Sequence, residues 1–298
     1  MALVMLCGAV TTHTHAEDAG SAASGSEVSE ADVFRQVADF VDLVEQVRFQ
    51  TGTAQPLSRK VRIRSTAPRH LYYQAQTLFR KSNQLAREWA GAVRRRPAPA
   101  PEGDIESADV VRLLRDAGSQ MDLVRVAIGI EGSAPKKTSV PRRSGEAMAI
   151  LLETNRQLNL MGVGRASLAD SFDQLLLAST YLAGVDPDTA YPPLPRYQAG
   201  RLPADLYDQI TECMHAVSKI ARKHGTVALD MDVSDILYVG TNDVYDLATI
   251  LLADVAYITW RMEAADVDPM EIVLPPRVFP SHASQIAELI ELQLLQIM

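Results

Sequence analysis

Residues 242–258 read NDVYDLATILLADVAYI, and their apolar side chains recur every three or four positions. The stripe consists of Val244, Leu247, Leu251, Val255 and Ile258. This spacing places the apolar side chains on one face of an α-helix. Asp243 falls in the first turn, where the positive end of the helix dipole favours a carboxylate. The segment therefore predicts an amphipathic helix that buries one face.

The same helix start occurs four times along the chain. The copies are Ala31-Asp32-Val33-Phe34, Ala108-Asp109-Val110-Val111, Ala169-Asp170-Ser171-Phe172 and Asn242-Asp243-Val244-Tyr245. In two copies a serine, Ser29 or Ser167, precedes the aspartate by three residues and approximates a capping box. Self-similarity of this kind indicates an internal repeat.

A second type of helix start follows each copy. These starts are Pro68-Arg69-His70-Leu71-Tyr72, Ser144-Gly145-Glu146-Ala147-Met148, Pro203-Ala204-Asp205-Leu206-Tyr207 and Pro275-Pro276-Arg277-Val278-Phe279. Proline is tolerated in a first turn because its missing N–H would have no acceptor there, and serine can cap the helix. The offset from the aspartate to the proline or serine is 36, 35, 33 and 32 residues in the four copies.

These offsets predict an all-α fold of four repeated α-hairpins, with eight main helices. The predicted hairpins span about 29–96, 107–164, 167–225 and 240–298. Each contains a long, proline-containing loop, although connections in helical bundles usually have two to eight residues. One hairpin cannot bury its apolar stripe alone. We therefore expect two pseudo-symmetric four-helix bundles, at 29–165 and 166–298, or a short helical array.

The N-terminal region resembles the end of a secretory signal. Residues 1–16 contain a short apolar stretch that ends in small residues, and residues 17–28 have the composition of a flexible tail. A basic n-region is missing, since the first basic residue is Arg35. Either Met1 is not the true start and residues 1–16 are a truncated signal, which we favour, or this segment is not a signal. If residues 1–16 are a signal, we expect a periplasmic or secreted protein. The sequence contains no apolar run of transmembrane length.

Charge is distributed unevenly between the two halves of the chain. Residues 1–165 contain 22 Lys/Arg and 18 Asp/Glu, whereas residues 166–298 contain 7 and 19. The predicted interaction surface lies in the loops of the first two hairpins and consists of Arg59, Lys60, Arg62, Arg64, Lys136, Lys137, Arg142 and Arg143. Such a cluster attracts acidic partners, but it can also be solvated or pair with the acidic half of the same or a second molecule. Nucleic acid is disfavoured because the net charge is −8 and no aromatic residues alternate with the cluster.

No catalytic, cofactor or metal motif is evident, so the sequence predicts no catalytic residue, no cofactor and no metal ligand. Glu212 and His215 have the spacing of half a ferritin-like di-iron site, but a second such pair is missing from the chain. A solvated helix face explains this pair better. The aromatic residues at the helix starts, among them Tyr72 and Tyr207, have the spacing of core residues.

The expected function is therefore that of a non-enzymatic, extracytoplasmic helical-repeat scaffold or adaptor that binds another protein. The alternative is a small-molecule or signal-binding bundle, with the ligand between helices near Tyr72, Tyr73 or Tyr207. An enzyme of unfamiliar type is the third hypothesis. Such an enzyme would have a deep cleft with converging polar residues.

Overall fold

The structure is a computed structural model. The residues that it describes are 28–54, 61–99, 101, 104–131, 139–164, 166–186, 192–232, 238–268, 270, 272 and 275–298. The predicted signal at 1–16 and all of the predicted tail except Val28 lie outside these residues.

The all-α prediction is confirmed. The helices are α1 (Glu30–Gln50), α2 (Pro68–Ala90), α3 (Ser107–Ala127), α4 (Ser144–Leu160), α5 (Leu168–Ala183), α6 (Pro203–Lys223), α7 (Thr241–Arg261) and α8 (Pro280–Ile297). Two short strands, β1 (Arg62–Ser65) and β2 (Asp230–Asp232), pair in antiparallel orientation. The start of α8 was predicted at Pro275, but the helix begins five residues later, at Pro280. In the described part of the chain, no helix is both long and apolar enough to cross a membrane.

The repeated aspartates act as helix caps. Asp243 is the third residue of α7, and its carboxylate accepts a hydrogen bond from the Gly240 N–H at 2.9 Å. Histidines take the same position in two helices. His70 Nδ1 accepts from the Ala67 N–H in α2, and His282 Nδ1 accepts from the Phe279 N–H in α8. A side chain at this position thus satisfies an amide that would otherwise have no acceptor within the helix.

The predicted hairpins are wrong as packing units. Among the described residues, the two helices of each predicted hairpin do not contact each other. Instead α1 and α2 each pack against α3 and α4, which forms a first helix group. In the same way, α5 and α6 each pack against α7 and α8, which forms a second helix group. The two helices of each predicted hairpin therefore lie diagonally across their group.

The helices within each group run in the same direction. In the second group, the starts of α6 and α8 meet where Gln209 contacts Ser284, and the ends of α5 and α8 meet where Ser179 Oγ donates to Gln293 Oε1 at 2.8 Å. In the first group, the starts of α1 and α4 meet where Ser144 donates to the Glu30 carboxylate. A turn of a few residues can join only antiparallel neighbours, so parallel helices need a connection that runs back along the group.

This direction explains the long loops. The six connections within the two groups have 16 to 19 residues, whereas the connection between α4 and α5, which joins the groups, has seven. A helix of 21 residues, such as α7, is about 30 Å long, and an extended chain covers that distance with about ten residues. The loops are therefore long enough to return along a helix.

The two groups meet in an antiparallel seam of ion pairs between α2 and α7. Lys81 Nζ lies 2.5 Å from Asp246, and Arg69 and His70 lie 3.1 and 2.7 Å from Asp254 Oδ1. Lys81, in the second half of α2, thus pairs with Asp246 near the start of α7, whereas His70, at the start of α2, pairs with Asp254 in the second half of α7. The two helices therefore run in opposite directions. The start of α7 also contacts the end of α4, where Asn159 Nδ2 donates to Asp243 at 2.8 Å.

The surroundings of the two seam aspartates shift their pKa values in opposite directions. Burial alone would raise the pKa of Asp254, but His70, Arg69 and the Leu229 N–H outweigh burial and hold this pKa below its ordinary value. Burial raises the pKa of Asp246, and Lys81 offsets that effect only in part. The contribution of Asp254 to folding is therefore present at neutral pH and is lost as the pH falls through its folded pKa, which lies below the ordinary value for aspartate.

Replacing Asp254→Ala should destabilise the protein by about 3–5 kcal/mol, because it leaves Arg69, His70 and the Leu229 N–H buried without their acceptor. Urea unfolding at pH 7 measures this change. The matched control is Asp122→Ala, which removes an exposed ion pair with Arg125 and should cost less than about 1 kcal/mol. Equal losses for the two variants would contradict a structural role of the seam.

Candidate functional site

The site begins where α2 ends and the chain turns back. Gly91 has a φ of 63°, the left-handed conformation that terminates helices and that glycine adopts without strain. The following segment returns along α2, because the side chain of Asn83 forms two hydrogen bonds with the backbone of Arg95. Asn83 Nδ2 donates to the Arg95 carbonyl at 2.8 Å, and the Arg95 N–H donates to Asn83 Oδ1 at 3.0 Å. Asn83 is buried, so the returning segment is held against the helix.

A groove of about 370 Å³ lies between α2 and this returning segment, here called the arginine groove. It is lined by Phe79, Arg80, Asn83, Gln84, Arg87, Arg94, Arg95, Arg96 and Pro97. Phe79 is buried, whereas all five arginines are exposed. The groove thus combines guanidinium groups open to solvent with a fixed backbone.

The arginine groove carries five positive charges, and no acidic residue is among its described lining residues. Arginine stays protonated at physiological pH, so these charges are permanent. Arg80 donates to Gln76, which orients its side chain but leaves its charge unbalanced. Five guanidinium groups gathered in this way favour an anionic ligand, and their planar donors match carboxylates or phosphates.

Exposed apolar side chains occur at the same end of the first helix group. Trp89 and Val93 flank the groove residues in sequence, and Val93 is 86% exposed. Because the helices are parallel, the ends of α1 and α3 lie at this end too, and they carry Phe49 and Val126, which are 80% and 62% exposed. Apolar side chains gathered this way are typical of surfaces that bind other molecules.

The predicted interaction surface is placed only in part. Arg59, Lys60, Lys136 and Lys137 lie outside the described residues. Arg62 and Arg64 lie in β1, Arg142 and Arg143 lie directly before α4, and all four are exposed.

The structure brings these two segments together, because Ile63 of β1 packs against Gly145 at the start of α4. Arg64 is paired with Asp232 of β2 at 3.1 Å, so one of the four charges is balanced within the molecule. The surface at β1 and α4 stays a prediction as a binding site.

Sequence reasoning missed the arginine groove. The predicted interaction surface did not include Arg80, Arg87 or Arg94–Arg96. The seven-residue spacing of Arg80 and Arg87 already places both on one face of a helix. The return of Arg94–Arg96 onto that face depends on Asn83, and no sequence pattern shows that contact.

Glu212 and His215 line a second, polar groove of about 440 Å³ together with Asp208 and Arg64. His215 Nδ1 lies 3.0 Å from Asp230, and Arg222 lies 3.6 Å from the same carboxylate. Where the structure describes the chain, no three His, Cys, Asp or Glu side chains are arranged to hold a metal ion. These contacts join α6 to β2 as an ion-pair cluster.

The predicted ligand position near Tyr207 has little free space. Tyr72 and Tyr207 are both buried, and burial raises the pKa of both phenols. The cavity beside Tyr207 has a volume of about 20 Å³, enough for about one water molecule. A metabolite requires several hundred Å³. This part of the protein therefore belongs to the packed core.

No family model matches this chain, and no curated protein or solved structure is detectably similar to it. Functional arguments therefore depend on the grooves and cavities themselves.

Replacing Asn83→Ala should release the segment at Arg94–Arg96, because both side-chain bonds to Arg95 are lost. Trypsin cleaves after arginine only where the chain can leave the folded surface. We expect cleavage after Arg94 and Arg95 to become roughly tenfold faster, since the lost bonds correspond to about 1–2 kcal/mol. The bond after Arg96 resists trypsin because Pro97 follows it. Timed digestion with mass spectrometry measures the rate.

The matched control is Gln84→Ala, since Gln84 lines the same groove but its amide donates only to Glu88 within α2. Cleavage should keep the wild-type rate in this variant. If both variants were cut at the same rate, Asn83 would not be the residue that holds the segment.

Proposed function

We propose that this protein is a non-enzymatic, extracytoplasmic helical-repeat scaffold or adaptor that binds an acidic segment of a partner protein in the arginine groove. The observation that carries the proposal is the convergence of five exposed arginines on one groove with no acidic side chain among its described lining residues. The extracytoplasmic part rests on the resemblance of residues 1–16 to the end of a signal.

The form of the groove favours a protein segment as the anion. A guanidinium group can bind a carboxylate through two parallel N–H···O bonds, so several arginines along one groove suit a chain of carboxylates. The exposed Trp89 and Val93 beside the groove would receive apolar residues of the same segment. Nucleic acid is a poorer candidate, because the protein carries a net charge of −8.

Self-association is part of the same proposal. Residues 166–298 contain 12 more acidic than basic residues, so the acidic half of a second copy offers a complementary surface. The segment that binds could therefore belong to another protein or to this one.

For the architecture, we propose that the two helix groups are pseudo-symmetric bundles derived from one repeated unit. The repeated third-position caps and the matched contact pattern of α1–α4 and α5–α8 support this. The two helix groups would hold the returning loops at fixed positions, as a scaffold requires.

A charge-reversal experiment tests the binding proposal. The groove variant carries Arg87→Glu, Arg94→Glu and Arg96→Glu, and the probe is a fluorescent peptide of alternating glutamate and leucine. We expect its Kd to rise roughly 10- to 100-fold in the groove variant, since each lost charge pair contributes up to about 1 kcal/mol before repulsion is added. Fluorescence anisotropy measures the Kd, and binding should weaken as salt is added.

The control variant carries Arg62→Glu, Arg142→Glu and Arg143→Glu, which change the net charge equally at the predicted surface. If only this control lost affinity, the partner would bind at β1 and α4, and the groove assignment would be wrong. If neither variant lost affinity, the adaptor proposal would fail at both surfaces. Binding of the wild type to anionic lipid vesicles without binding to the peptide would instead indicate a membrane surface. Sedimentation of wild type and groove variant separates self-association from binding of another protein.

A further inference from the structure

The exposed face of α6 carries three carboxylates, here called the acidic stripe. Asp205, Asp208 and Glu212 follow one another at intervals of three and four residues, which places them on one face of the helix. All three are exposed. Asp205 accepts a hydrogen bond from the Leu202 N–H at 2.8 Å, and none of the three forms an ion pair with a residue in the described part of the chain. The stripe thus presents three negative charges without a counter-charge.

The carboxylates of the acidic stripe repel one another. Burial raises the pKa of Asp208 above its ordinary value, and the neighbouring charges of Asp205 and Glu212 raise it further. A positively charged surface placed over the stripe would offset this repulsion. The stripe is therefore a candidate for contact with a cationic surface.

The arginine groove has side chains at the matching spacing. Arg80, Gln84 and Arg87 line the groove from α2, at intervals of four and three residues. The set spans seven residues, as the acidic stripe does, which corresponds to about 10 Å along a helix. The two arginines are exposed, and the Gln84 amide, which donates to Glu88, has a second N–H to offer.

The two sets face each other when the helices are antiparallel, because the intervals of three and four along α6 then meet the same intervals read backwards along α2. The facing pairs in this register are Arg87 with Asp205, Gln84 with Asp208, and Arg80 with Glu212.

The same register brings no like charges together. Glu88, the acidic residue next to Arg87, would face Ala204, and Lys219, further along α6, would face Tyr73. The carboxylates would enter the groove between α2 and Arg94–Arg96, while the body of α6 would lie over the groove. Each stripe carboxylate would thus meet a hydrogen-bond donor, and two of these donors are charged.

The stripe and the groove of one molecule do not meet. Among the described residues, α2 and α6 make no contact, because α2 meets the second helix group through α7 and α4 lies beside it. A stripe that enters the groove therefore belongs to another molecule.

From the matched spacing and the opposite charges, we infer that the arginine groove binds the acidic stripe of a second copy of this chain, with α6 of one copy antiparallel to α2 of the other. This inference rests on the proposed function, since it names the acidic segment that occupies the groove. Because the groove lies in the first helix group and the stripe in the second, the contact joins different surfaces of the two copies.

Mixing two charge-reversed variants tests the inference. The groove variant carries Arg87→Glu, Arg94→Glu and Arg96→Glu, and the stripe variant carries Asp208→Lys and Glu212→Lys. Sedimentation equilibrium of the full chain measures self-association. Each variant alone should dissociate with a Kd at least roughly tenfold above that of the wild type, because like charges then oppose each other. An equimolar mixture of the two should regain association, since every groove then finds a stripe of opposite charge.

The control for the stripe variant carries Glu263→Lys and Asp266→Lys, which make the same change in net charge at two exposed carboxylates after α7. It should associate as the wild type does, and circular dichroism confirms folding of each variant. Association of the stripe variant at the wild-type Kd would overturn the inference. So would a mixture that stays monomeric.

The register is tested by a single pair. Arg80→Glu should weaken association, and Glu212→Arg added to the same chain should restore it, because the two residues face each other across the contact. The matched control adds Asp208→Arg instead, which faces Gln84 and should restore less. Equal rescue by the two second substitutions would contradict the antiparallel register.

The inference can fail while the proposed function stands. A wild type that stays monomeric at the highest soluble concentration, yet binds the glutamate–leucine peptide in the groove, would overturn the inference and leave the adaptor function intact. Loss of both self-association and peptide binding would overturn both proposals.

Discussion

The parallel direction of the helices within each group is the constraint from which the rest of this structure follows. Parallel neighbours cannot be joined by short turns, so each of the six connections inside the groups must return along the helices. Those returns contain the strands β1 and β2 and the wall of the arginine groove. They also place the two helices of each predicted hairpin diagonally, so these pairs do not pack as hairpins.

Parallel helices also align their dipoles, an arrangement that raises the electrostatic energy unless the ends are compensated. The third-position carboxylates, such as Asp32 and Asp243, provide negative charge at the positive ends. The seam adds a second compensation, because α2 and α7 run in opposite directions there. The negative ends of one group consequently lie on the same side of the molecule as the positive ends of the other. The seam ion pairs are buried, so removing one partner is costly even where the intact pair adds little net stability.

The same geometry decides where ligands can bind. Helix bodies are covered by neighbours, and the described cavity beside Tyr207 is too small for a metabolite. Cavities of several hundred Å³ occur instead at the arginine groove, at the polar groove beside Glu212 and His215, and at the end of the second helix group.

The sequence by itself determined the helices, because apolar periodicity, first-turn aspartates and first-turn prolines are local signals. Helix starts at Pro68, Ser144 and Pro203 were correctly predicted from such signals. The start of α8 was predicted five residues too early, because Pro275 and Pro276 resemble a first turn. The helix begins at Pro280, where His282 caps it. Helix direction was decided only by tertiary packing. An apolar stripe has the same period whether the neighbouring helix is parallel or antiparallel, so the stripe cannot specify the direction of that helix. The arginine groove likewise depends on contacts between Asn83 and Arg95, which lie 12 residues apart and outside any repeating pattern.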